Sequence, residues 1–165
     1  GLVTRRKHVF ASGIAAARLL GLTTQHGKRE EVSTSALSLP RKLIGKDAVI
    51  HTRRPEAWAG LSQIDAALLD CLRQRAKWTE LSPGETIHRI LNLLSESGRF
   101  IRLLRVARFE PPRVRAMLGA FGELLGENPD RVKALRTSLN PLSRYDFGLL
   151  AALPNARAWQ AKEHT

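Results

Sequence analysis

From residue 60 onward the chain is punctuated by helix starts and stops, and this constrains its fold more than any other feature. Ser62, with Asp65 three residues later, makes a capping-box pattern ahead of the apolar run from Ala66 to Leu72. Ser82-Pro83-Gly84-Glu85 puts proline at a first helical position and a carboxylate in the first turn. That predicts a helix through Leu94, with Gly98 as its stop. Arg99 to Arg108 carries Phe100, Leu103, Leu104 and Ala107 at i, i+3, i+4 and i+7, the spacing of a core-facing stripe. Pro111-Pro112 opens a helix through Leu125, and Asn128-Pro129 opens another that ends near Leu139. A short helix from Phe147 to Leu153 precedes a polar tail.

Ahead of residue 60 the pattern changes. Ser12 is placed to cap a short helix carrying Ile14, Ala15, Leu19 and Leu20, which Gly21 ends in a left-handed turn. Glu31 to Leu37 and Asp47 to Thr52 read as strands, separated by a linker with Pro40, Arg41, Lys42 and Gly45, and Pro55 closes the region. The expectation is an α+β protein: a small N-terminal α/β unit with short strands over residues 1–58, then a mainly helical C-terminal half over 59–165. The two can share one compact domain. No internal repeat of 20 to 50 residues is evident.

Charge says more about partners than about fold. Lys and Arg total 27 against 15 Asp and Glu, a formal net charge of +12, and the usual partner of such a surface is a polyanion. Arg99, Arg102, Arg105 and Arg108 sweep the face opposite the Phe100 stripe, and Arg113 and Arg115 follow. Glu110 is the only acid in that stretch, so little intrahelical pairing neutralises it. Guanidinium forks suit phosphate oxygens. The whole row is therefore expected to face outward and bind nucleic acid, DNA or RNA, with Arg53 and Arg54 contributing. Further cations fall in the first third, at Arg5, Arg6, Lys7, Lys28, Arg29, Arg41, Lys42 and Lys46.

Catalytic patterns are sparse. The sequence has no phosphate-binding glycine loop, dinucleotide fingerprint or nucleophile elbow. The five His are scattered and Cys71 is the sole cysteine, so no metal-site spacing arises and no cofactor is expected. Glu31 and Asp47 loosely suggest the acids of a metal-dependent nuclease, but Thr52-Arg53 stands where the usual carboxylate-x-lysine pair would be. Trp58, Trp78 and Trp159 are dispersed and read as buried anchors. Thr4-Arg-Arg-Lys-His-Val-Phe10 superficially resembles a twin-arginine export signal, yet Arg18 interrupts the apolar stretch behind it. With a lone buried thiol and no apolar run of about 18 residues, a cytoplasmic protein without a membrane partner is expected.

Five segments resemble the AbiEi family of antitoxins and transcriptional regulators from type IV toxin–antitoxin systems: Ala11 to Gln25, Glu31 to Thr34, Val49 to Pro55, Gly60 to Leu72 and Ala107 to Leu118. Their order and spacing over residues 9 to 118 match the family region that follows its DNA-binding domain. The resemblance implies a non-enzymatic antitoxin-type regulator that counteracts a nucleotidyltransferase-like toxin. No catalytic residues carry over, and no winged helix is evident before residue 9. A general nucleic-acid-binding transcription factor and a nuclease-like processing enzyme are the other readings.

Overall fold

A computed structural model describes residues 9–40, 44–45 and 47–163; the cations at Arg5, Arg6, Lys7, Arg41, Lys42 and Lys46 lie outside them. The architecture is α+β, with a small sheet near the N-terminus and a helical C-terminal half. The sheet contains β1 (Val9–Ala11), β2 (Glu31–Thr34) and β3 (Val49–His51) in that order. β2 runs antiparallel to β1, with Phe10 opposite Ser33, and parallel to β3, with Val32 opposite Ile50. β1 was not foreseen. All three of its residues are buried, so it lacks the apolar–polar alternation by which a half-exposed strand is read. β2 stops three residues before the expected Leu37 because the Thr34 hydroxyl accepts the Ala36 N–H at 3.2 Å, a side-chain turn that ends the ladder.

Among the described residues the α-helices α1 (Gly13–Leu19), α2 (Gln63–Arg73), α3 (Pro83–Leu94), α4 (Arg99–Ala107), α5 (Pro112–Leu125) and α6 (Pro129–Thr137) follow the expected order. The 148–152 segment is a 3₁₀ turn, Gly148–Ala152. The Ser62 capping box is present, with Asp65 N–H donating to Ser62 Oγ at 3.0 Å and Ser62 N–H donating to Asp65 Oδ2 at 3.2 Å. Ser82 likewise accepts the Glu85 N–H at 3.2 Å.

At α1 the expected cap is corrected. Ser12 occupies the N-cap position, but its hydroxyl makes no bond to its own helix. It donates instead to Asp70 Oδ1 at 2.5 Å, and Asp70 Oδ2 accepts the Gly13 N–H at 2.9 Å. A carboxylate from α2 thus caps α1 across the interior, and Gln74 Nε2 also donates to it at 2.9 Å. Burial, the largest influence, raises the Asp70 pKa despite these bonds. Cys71, beside it, is buried and its pKa is pushed up to about 12, as expected of an inert structural thiol.

One hydrophobic cluster runs from Phe10 through Trp58 and the helices to Trp159 and Ala161, so the sheet unit and the helical half share a core. α2 is its axis, packing on α1, β1, α4 and α5. α5 passes so close to its neighbours that a Cβ on Gly119 would overlap the Trp159 ring, and one on Gly122 would overlap Phe100. Within α4, Phe100, Leu103 and Ala107 are buried as expected and Val106 joins them. Leu104 is corrected: it is only half-buried and lies at the edge of the core. Among the described residues no helix is long and apolar enough to cross a membrane.

Candidate functional site

Of the eight arginines expected to form one outward face, seven divide into three groups and Arg53 stands apart. Arg99 is turned away from solvent and Arg102, though partly exposed, is tied to the same buried acid, so for these two the expectation of a free outward face is overturned. Arg99 is 8% exposed, and its Nε donates to Asp65 Oδ1 at 2.9 Å. Its Nη1 donates to the Leu93 carbonyl at 2.9 Å and to Glu96 at 2.6 Å. Arg102 reaches the same carboxylate, with Nε to Oδ2 at 2.9 Å and Nη2 to Oδ1 at 3.2 Å. Asp65 is fully buried. Burial disfavours its charge, but the hydrogen bonds from Arg102, Arg99 and the Ser62 N–H together outweigh that and lower its pKa. The acid that neutralises this end of α4 comes from α2, so a count of acids within the Arg99–Arg115 stretch missed it.

A second group packs around Trp58. Glu110, also buried, accepts two hydrogen bonds from Arg73 (2.8 and 2.9 Å) and one from Trp58 Nε1 (3.0 Å). Arg54 lies over the Trp58 ring at 5.9 Å, with Arg73 over the same ring at 5.3 Å. Burial, and then the charge of Arg73, lower the Arg54 pKa. Arg113 donates to the Arg73 carbonyl, and burial with the neighbouring Arg75 lowers its pKa too. These two side chains are half-buried supports of the fold and do not form a free face. Arg53, by contrast, is exposed, with φ of 58° at the end of β3.

The third group makes a site. Arg105 and Arg108 are exposed and have no carboxylate partner among the described residues. They stand with Arg115 and Arg131 around a groove of about 470 Å³ between α4 and α6. Its apolar lining is Ile101, Leu104, Ala107, Ala134 and Leu135, and among the described residues no acid lines it. Arg115 is held by carbonyls, donating to Glu110 O at 3.3 Å and Ser138 O at 3.0 Å, so its charge is not neutralised by an ion pair. Arg108 stacks on the half-exposed Phe109 ring at 4.6 Å. Four guanidiniums without an acid in the groove favour an anionic ligand, and the low-polarity floor strengthens each contact by excluding water.

Arg131 and the floor were missed. The signal was legible: Ile101, Leu104, Arg105 and Arg108 fall at i, i+3, i+4 and i+7, and so do Arg131, Ala134, Leu135 and Ser138. Two helix faces with this spacing meet across the groove, and the sequence does not say that they face each other.

The two acids considered for metal chemistry are arranged differently from a paired site. Glu31 bonds His51 Nε2 at 2.7 Å across β2 and β3, whereas Asp47 is exposed ahead of β3. Among the described residues no group of three His, Cys, Asp or Glu side chains is placed to hold a metal. Trp58 and Trp159 are buried anchors as expected, at 1% and 0% exposure, but Trp78 is 36% exposed. No known protein family matches the chain, and no characterised protein or solved structure resembles it closely enough to be matched to it.

Proposed function

We propose that the chain is a non-enzymatic, antitoxin-type regulator of the cytoplasm that binds nucleic acid through its basic surface and counteracts a nucleotidyltransferase-like toxin. The observation that carries the nucleic-acid part is the α4–α6 groove, where Arg105, Arg108, Arg115 and Arg131 converge with no acid among the lining residues. Guanidiniums gathered around one groove repel one another, and a polyphosphate backbone relieves that repulsion while releasing its own counterions. The antitoxin part rests on the sequence resemblance over residues 9–118.

Fluorescence anisotropy with duplex DNA and single-stranded RNA tests the first part. Four phosphate contacts give a slope of roughly −3 to −4 in log K against log salt on duplex DNA. No detectable binding at ~50 mM salt would remove the reading. Growth of cells expressing a neighbouring nucleotidyltransferase-like toxin, with and without this chain, tests the second part; failure to restore growth would sink it.

A further inference from the structure

The N-terminal unit holds a second cavity, of about 420 Å³, in which acids and cations are mixed. Its wall is built from Ile14, Ala15 and Arg18 of α1, the 26–31 loop running into β2, Val49 of β3, and Trp78 beyond the end of α2. The volume falls within the range of small-ligand sites. Three features of its lining point to a ligand.

The first is an aromatic surface that is open and held in place. Trp78 Nε1 donates to Gln74 Oε1 at 2.7 Å, and the Lys77 ammonium lies 5.1 Å from the ring centroid. A ring fixed in this way loses little freedom when another flat ring stacks on it. The second is a set of cations at the same cavity. Lys28 and Arg29 are exposed and have no acid partner among the described residues, and Arg18 is steadied by one hydrogen bond to the Gln25 carbonyl at 3.0 Å. The third is the pair of acids. Glu31 is engaged by His51 at 2.7 Å, while Glu30 remains an exposed acceptor.

We infer that this cavity binds a nucleoside 5′-monophosphate group, with the base on Trp78 and the phosphate among Arg18, Lys28 and Arg29. The lining carries one more permanent cation than carboxylate, which suits one phosphate; the more highly charged triphosphate would meet the Glu30 and Glu31 carboxylates. Glu30 supplies an acceptor for sugar hydroxyls or an exocyclic amine. An anion alone would leave the ring unused, and an uncharged aromatic would leave the cations unused. The group can belong to a free nucleotide or to the phosphorylated end of a strand, and the inference does not depend on the antitoxin reading.

Isothermal titration of the whole chain at low salt tests it with adenosine 5′-monophosphate, adenosine, inorganic phosphate and a 5′-phosphorylated dinucleotide as probes. The monophosphate is expected to bind at least about tenfold tighter than either adenosine or inorganic phosphate. Trp78→Ala should lose about tenfold and Trp78→Phe should recover most of it, since stacking needs only a ring face. Lys28→Glu with Arg29→Glu should abolish binding. Arg105→Glu with Arg131→Glu should leave it unchanged while weakening nucleic acid on the groove, which separates this site from the one proposed above. A dinucleotide binding as tightly as the mononucleotide marks a strand-end site, and weaker dinucleotide binding marks a free-nucleotide site. No heat with the monophosphate, inorganic phosphate binding equally well, an unaffected Trp78→Ala protein of native circular dichroism, or loss of binding in the groove variant would each overturn the inference.

Discussion

The two ends of α4 carry the same residue at the same spacing and have different fates. Arg99 and Arg102 share the buried Asp65 carboxylate, whereas Arg105 and Arg108, one and two turns later, face a groove with no acid in it. Intrinsic preference does not distinguish them. What does is the neighbour: the N-terminus of α2 packs on the start of α4 and brings Asp65 with it, and the later turns of α4 line a groove with α6 and the start of α5, where the lining is apolar or basic. A charged row on a helix is therefore partitioned by tertiary contacts into a structural part and an available part. Only the available part has charge left for a partner.

The largest expected effect comes from removing the acid. Asp65→Ala leaves the buried Arg99 with only the Glu96 carboxylate and breaks the capping box of α2. Losing one partner of a buried ion pair costs roughly 3–5 kcal/mol, so urea denaturation should show a loss of that size. A loss below about 1 kcal/mol would mean that the Asp65 hub is no more than a surface salt bridge. Next in size is the difference between the two arginines that share the hub. Arg99→Gln should cost about 2–3 kcal/mol, because it leaves a buried acid half-satisfied. Arg102→Gln should cost clearly less, since 39% of that side chain is exposed and solvent screens it. Equal costs would contradict the burial difference on which the comparison rests.

Acid should separate the ends as well. The folded pKa of Asp65 is lowered, so the stability it contributes is fully present above the ordinary carboxylate range and is lost as pH falls below about 4. Asp70 works with the opposite sign. Its pKa is raised, so folding gains from its protonation as pH falls into that range. The comparison that isolates Asp65 is thus between the wild type and Asp65→Asn, measured from pH 7 to pH 3. The wild type should lose its advantage over the variant as pH falls, and a constant gap would show that the carboxylate's charge is not what holds this end of α4.

These contrasts also mark how far the sequence could be read. The order of the helices, the Ser62–Asp65 capping box and the α+β division were legible because each is written within a few neighbouring residues. The start of α2 was visible in Ser62 and Asp65, yet the partners of Asp65 were not, since Arg99 and Arg102 are 34 and 37 positions away. Asp70 capping α1 from 57 positions away was hidden for the same reason. The arginine groove was half legible. The amphipathic faces of α4 and α6 are readable one at a time, and their meeting is a property of the packed core. β1 was hidden because full burial erases the alternation that reveals a strand.

The smallest expected change in stability comes with the largest expected change in binding, and it sharpens the comparison most. Arg105 and Arg131 are exposed and make no ion pair among the described residues, so changing both to Glu removes no buried bond and should alter stability by no more than ~0.5 kcal/mol for each substitution. The groove would lose two cations and gain two repulsions. Nucleic-acid affinity should fall steeply, and the salt dependence should flatten by about one unit of slope for each phosphate that the groove no longer neutralises. The same pair of substitutions at Arg99 and Arg102 should reverse the pattern, unfolding the chain by setting three carboxylates against one another at the Asp65 hub. Melting temperature and anisotropy measured on both double variants decide the matter. If the Arg105 and Arg131 variant melts early while keeping its affinity, those two side chains hold α4 to α6, and the available end of the helix is structural after all.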